Sequence, residues 1–167
     1  MKVENPAAFD FIMHEELYLL HHDKTKHGTT QADALPVETL EPDFNYMGNR
    51  SSSYLILVNY KDSEFLPLEH NTALESMLNR KDMQLKDVAI VNMFNCQLTN
   101  MQMLTAFFNP QKLIIFGNDA LPQDMEAPEL NNPQKTEKHA VLFTLSFEQM
   151  MQSNEYKKAF WEQMKIF

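Results

Sequence analysis

Glycine is nearly missing from this chain, with three residues in 167, at positions 28, 48 and 117. Loops that cradle a phosphate need glycine so that backbone amides can approach the ligand. Three scattered glycines supply neither a Gly-x-Gly-x-x-Gly nor a P-loop spacing, which argues against a dinucleotide or nucleoside-triphosphate enzyme. Cysteine is scarcer still. Cys96 stands alone, so there is no internal disulfide framework and the chain suits a reducing cytoplasm. Basic residues are also few: 14 Lys and Arg against 23 Asp and Glu leave a formal net charge of −9. Stand-alone binding to a nucleic-acid backbone calls for a basic patch. The densest basic groups here are pairs, Lys24 with Lys26, Arg80 with Lys81, and Lys157 with Lys158. No apolar run approaches the roughly 20 residues that span a bilayer. The opening Met1–Pro6 leads into a segment holding Asp10, Glu15 and Glu16, unlike the basic start and apolar stretch of a signal peptide. The expectation is a cytoplasmic protein with no membrane segment, no cofactor and no direct nucleic-acid contact.

What is present organises the chain around its middle. Tyr54–Asn59, Val88–Asn92 and Lys112–Gly117 are short apolar runs rich in β-branched residues, separated by segments of helical spacing. Strands without polar/apolar alternation, interleaved with amphipathic helices, are the mark of a parallel sheet covered on both faces. A fourth strand is predicted over His139–Leu145. Hydrophobic residues make up 44% of the chain, enough for a core at this length. The reading is one α/β domain over 1–167, a Rossmann-like three-layer sandwich with a mostly parallel four-stranded sheet in the order 2-1-3-4.

The flanks are different in character. Asn5-Pro6 has the form of a helix start, and Phe9, Ile12, Met13, Leu17 and Leu20 then recur at spacings of three and four, predicting an amphipathic helix over 5–22. A stripe of this kind either packs on the sheet or docks a partner. Residues 23–53 read as a long polar connection, with Pro36, Pro42, Gly48 and three consecutive serines from Ser51. Residues 118–138 form a second polar loop. Thr99 is placed to cap the helix before Asn109-Pro110, and Ser146 with Gln149 has capping-box spacing. The last helix carries Tyr156, Phe160, Trp161 and Met164 on its inner face.

Ligands of open parallel sheets bind beyond the carboxyl ends of the strands. The polar residues there are Asn59 and Asp62 after the first strand, Asn92 and Asn95 after the second, and Asn118 and Asp119 after the third. Asn59, Asp62, Asn92, Asn118 and Asp119 are therefore the candidates for a small-molecule site, although exposed strand ends are polar in most proteins. No metal site is predicted: Asp10 and His14 share a helix face, but no His-x-x-x-His or Cys-x-x-Cys pattern joins them. Cys96 has no evident neighbouring base to make it a nucleophile. Twelve methionines and 12 phenylalanines suit an adaptable core or interface.

The order of segments resembles the psi subunit family of bacterial DNA polymerase III. The leading helix with its Met13–Leu20 stripe is followed by a polar passage and a strand ending Leu57-Val58-Asn59. A helix over Thr72-Ala-Leu-Glu-Ser-Met-Leu78 and a strand from Val88 come next. The tail is the closest likeness, running from Phe147 through Ser153-Asn154 to Ala159-Phe160-Trp161. The resemblance spans about residues 9–165. It implies a uracil-DNA-glycosylase-like fold without catalysis, and an adaptor bridging the clamp loader, through an N-terminal segment, and a chi-like subunit. The glycosylases' own catalytic loops have no counterpart in Asn59–Glu64 or in Leu145-Ser146-Phe147. The competing expectation is a small α/β enzyme or ligand-binding protein using the strand-end residues.

Overall fold

The computed structural model describes residues 43–96, 98–136 and 138–167. The predicted helix over 5–22, with Phe9, Ile12, Met13, Leu17 and Leu20, lies outside the described residues, as does the polar connection up to residue 42. Among the described residues the elements run β1 (Tyr46–Gly48), β2 (Tyr54–Val58), α1 (Leu68–Asn79), β3 (Ala89–Asn92), α2 (Met101–Phe108), β4 (Lys112–Phe116), β5 (Gln134–Lys135), β6 (Ala140–Thr144), α3 (Phe147–Gln152) and α4 (Asn154–Ile166).

The α/β class is as expected, and the four runs read from the sequence are β2, β3, β4 and β6. They pair in parallel in the order β3-β2-β4-β6, which is 2-1-3-4 counted along the chain. The sheet itself departs from the expectation: it is mixed and six-stranded, not mostly parallel and four-stranded. β1 adds antiparallel to the free edge of β3, with Tyr46 opposite Val91 and Gly48 opposite Ala89. β5 adds antiparallel to β6, with Gln134 opposite Val141. Strands of three and two residues are too short to show a period. β5 is also polar and exposed on both residues, and β1 sits inside what reads as a polar connection.

Successive side chains of a strand point to opposite faces, and both faces here are covered. Ile56, Val58, Ile90, Ile114, Phe116 and Leu142 face α1, α3 and α4, meeting Leu74, Leu78, Phe147, Met150, Phe160 and Met164. Leu55, Leu57, Val91, Leu113, Ile115 and Phe143 face α2, meeting Leu104 and Phe108, with Phe44 against the same layer. The placement follows from connectivity. The chain steps from β2 outward to β3 and then back across to β4, so crossovers of constant hand carry α1 and α2 on opposite faces. The crossover from β4 to β6 contains no α-helix; Ala120, Leu121 and Met125 take its place on the α2 face.

Local signals account for the helix ends. Asn100, not Thr99, caps α2: its Oδ1 accepts from Met103 N at 2.8 Å, while Thr99 is buried. Asn109 closes the helix in the left-handed region at φ 45°, just before Pro110. No helix among the described residues is long and apolar enough to cross a membrane.

Candidate functional site

The carboxyl ends of the parallel strands bring together some of the residues singled out there, and the amides of Asn59, Asn92 and Asn95 are used internally. Asn92, the last residue of β3, is only 1% exposed. Its Oδ1 accepts from the backbone N–H of Tyr60 at 2.9 Å and of Phe94 at 3.2 Å. Its Nδ2 faces the carbonyls of Tyr60, Ser63 and Glu64 at 2.8, 2.9 and 3.1 Å. An amide nitrogen has two hydrogens, so three carbonyls share two donors and none is left for a ligand. Asn92 is the bracket that holds the loop after β2 against β3. Asn59 donates across the β2–β4 boundary to the backbone carbonyl of Asp119. Asn95 reaches toward the Glu64 carbonyl at 3.5 Å. Asp62, Asn118 and Asp119 are exposed.

Beside Asn59 the fold makes a tyrosine–histidine pair that the sequence did not announce. Tyr60 Oη lies 2.7 Å from His70 Nδ1, and the His70 ring stacks on Phe147 with centroids 5.5 Å apart and planes 18° from parallel. Burial, with a smaller contribution from the Glu148 carboxylate, pushes the Tyr60 phenol well above its ordinary range. The phenol therefore keeps its proton, and it shares one hydrogen bond with Nδ1 whose donor is set by the His70 tautomer. Phe147 in turn stacks on Phe116 at 4.3 Å. Loop, helix and strand end are thereby locked together.

The crevice left between β2, β4 and β6 has a volume of about 90 Å³ and is lined by Val58, Asn59, Tyr60, Phe116, Asp119, Ser146, Phe147 and Glu148. That is well below the ~300–1,000 Å³ of small-molecule sites. Of the candidate ring, it includes Asn59 and Asp119 and not Asp62, Asn92 or Asn118. Among the described residues no group of three His, Cys, Asp or Glu side chains is placed to hold a metal ion. Burial pushes the Cys96 thiol upward, opposite to the lowering that activates a nucleophile.

A concavity larger than this crevice, and apolar, lies between α1 and the α3–α4 pair. It encloses about 290 Å³ and is lined by Ala73, Ser76, Met77, Arg80, Phe147, Met150, Met151, Lys157 and Trp161. Ala73 and Met77 are four apart on α1 and Arg80 caps its C-terminus; Lys157 and Trp161 are four apart on α4. The Arg80 guanidinium carbon sits 5.3 Å from the Trp161 ring centroid. The sequence placed Trp161 on the inner face of the last helix but did not show that a groove is left beside it. The spacing of Met77 with Arg80 and of Lys157 with Trp161 was the available signal.

Ser146 opens the α3 wall of this groove. The expected capping box is formed, with Gln149 N donating to Ser146 Oγ at 3.3 Å and Ser146 N to Gln149 Oε1 at 3.2 Å. Ser146→Ala removes one half of it and lowers stability by about 1 kcal/mol, measured as a shift of the urea midpoint at unchanged slope. Ser146→Asp, which also caps, retains most of that stability. Compared with protein-family models and with curated proteins, the chain matches none.

Proposed function

We propose that this protein is a non-catalytic protein-interaction subunit, a psi-like adaptor of the bacterial DNA polymerase III clamp-loader assembly with a uracil-DNA-glycosylase-like body. The observation that carries the reading is how the strand-end amides are used. Asn92 and Asn59, two of the strand-end candidates for a ligand site, are bonded to backbone of their own domain. The sheet thereby acts as a platform, and the apolar concavity is turned outward between helices. The tail that resembles the psi family, Phe147 to Trp161, builds two sides of that concavity. The strand order is compatible with this reading. Beyond β6 the described sheet ends in the antiparallel β5, so the flavodoxin order 2-1-3-4-5 is not completed. The competing reading, a small α/β enzyme or ligand-binding protein, rests on the Asn59–Asp119 crevice, whose 90 Å³ suits waters better than a metabolite.

The test is reconstitution with the clamp-loader and chi-type subunits of the same cells. The wild-type chain is captured by at least one of them. Leu17→Asp or Met13→Asp abolishes capture through the N-terminal stripe, while circular dichroism and the melting temperature of the body stay unchanged. Failure of the wild-type chain to bind any of these subunits sinks the reading.

A further inference from the structure

The groove between α1 and α3–α4 has a chemistry of its own. Its floor is apolar and adaptable: Met77, buried Met150 and 40%-exposed Met151 surround the Phe147 edge and the Trp161 ring. Methionine is unbranched and polarizable, so such a surface repacks around whatever side chain enters. Tryptophan in a partly enclosed pocket is the residue type most often found at the energetic centre of an interface. The charge on the lining is one-sided. Arg80 and Lys157 both line the groove and no carboxylate does, on a chain whose formal net charge is −9. Among the described residues neither cation forms an ion pair; Arg80 lies over Trp161 instead. Two cations bordering an apolar slot in an otherwise acidic protein select against basic partners and for acidic ones.

We propose that this groove receives an acidic amphipathic segment of a partner protein, which inserts an apolar anchor between Met77 and Trp161 and sets its carboxylates against Arg80 and Lys157. The volume of about 290 Å³ suits an anchor side chain with its neighbours and not a whole buried helix. The proposal rests on reading the protein as an interaction subunit and specifies the kind of segment that its body holds.

Trp161 is the only tryptophan in the chain, so its fluorescence reports occupancy directly. The probes are two short synthetic helices with the same Leu/Phe stripe, one carrying Glu and the other Lys at every polar position. The Glu peptide shifts the Trp161 emission saturably and binds about tenfold tighter than the Lys peptide at low salt, a preference that added salt erodes. Arg80→Glu combined with Lys157→Glu inverts the preference. Met151→Glu, at an exposed position where folding is not at stake, weakens the Glu peptide about tenfold. Equal binding of the two peptides, or no change at Trp161 with either, overturns the proposal. So does a dimer, seen in sedimentation, that Met151→Glu dissociates, since the occupant is then a second copy. Binding of the Glu peptide without capture of any replication subunit defeats the proposed function and leaves the groove intact. Capture without Glu-peptide binding does the reverse.

Discussion

Asn92→Leu lowers the stability of the folded body by about 3–5 kcal/mol. The side chain it removes serves two N–H donors, those of Tyr60 and Phe94, and three carbonyls, those of Tyr60, Ser63 and Glu64. Leucine matches the volume and offers none of these partners. A buried polar group left without a partner costs about 1–3 kcal/mol, and five groups lose this one at a side chain that is 1% exposed, the Glu64 carbonyl keeping only the 3.5 Å contact from Asn95. Water entering the loop recovers part of the loss, which is why the expected sum stays well below five full penalties. Against a typical total of ~5–15 kcal/mol the variant is marginal at best. Chemical denaturation measures it, and a loss below about 1 kcal/mol means that the bracket is not what holds the loop.

Asn92→Asp separates the two halves of that network. The N–H groups of Tyr60 and Phe94 still find an acceptor, but the three carbonyls now face a carboxylate. A buried carboxylate opposed by carbonyl oxygens is driven toward its protonated form, so its folded pKa lies above the unfolded value of about 3.9. The folded state then holds the extra proton between those two values, and stability relative to wild type falls as pH rises through that window. The penalty is smallest below the unfolded pKa and largest above the folded one. The difference in urea midpoint between Asn92→Asp and wild type therefore widens from acid toward neutral pH. A difference that narrows in that direction contradicts the amide orientation assigned here.

How much of this was legible in the sequence follows from the range of each interaction. β2, β3, β4 and β6 are buried on both faces, and their continuous apolar runs show it without any help from the rest of the chain. The Ser146–Gln149 box is local, three residues apart, and was equally plain. β1 and β5 were not: β1 pairs with Ala89–Val91 far along the chain, β5 forms a tight polar hairpin with Ala140–Val141, and both strands are too short to carry a pattern. The strand-end amides were located correctly as polar residues at strand ends. Their direction, inward to a loop or outward to a ligand, depends on where backbone carbonyls such as those of Ser63 and Glu64 arrive, and backbone carbonyls have no sequence signature. The α1–α4 groove needs residues 73–80 and 147–161 side by side. Helical spacing puts Trp161 on the inner face of the last helix; only the packing of the helices reveals that the faces do not close completely.

Gly48→Ala detaches β1 and destabilises the body by several kcal/mol. Gly48 sits at φ +96°, where L side chains rarely go, and an added Cβ there falls 1.9 Å from the Val88 carbonyl oxygen and 2.8 Å from that of Leu85. Both are backbone atoms, so no rotamer change relieves the collision. The Val88 carbonyl also accepts from Asn49 N at 2.9 Å, and moving it breaks the register that sets Gly48 opposite Ala89. Backbone strain alone costs about 1–3 kcal/mol, and the lost pairing of a three-residue strand adds to it. Gly48→Asn distinguishes the two causes. Asparagine tolerates positive φ better than alanine, yet carries the same Cβ into the same carbonyl. If collision dominates, Asn rescues little; if it recovers most of the loss, conformational strain is the larger part. The consequence beyond stability concerns the edge. Without β1, the buried Ala89-Ile90-Val91 run of β3 becomes an open strand edge, a template for pairing with other chains. Hydrogen exchange of the amides that β1 covers on β3 should then accelerate before global unfolding, and light scattering on warming should begin at a lower temperature than in wild type. Retained protection along Ala89–Val91 in Gly48→Ala would show that β1 stays seated.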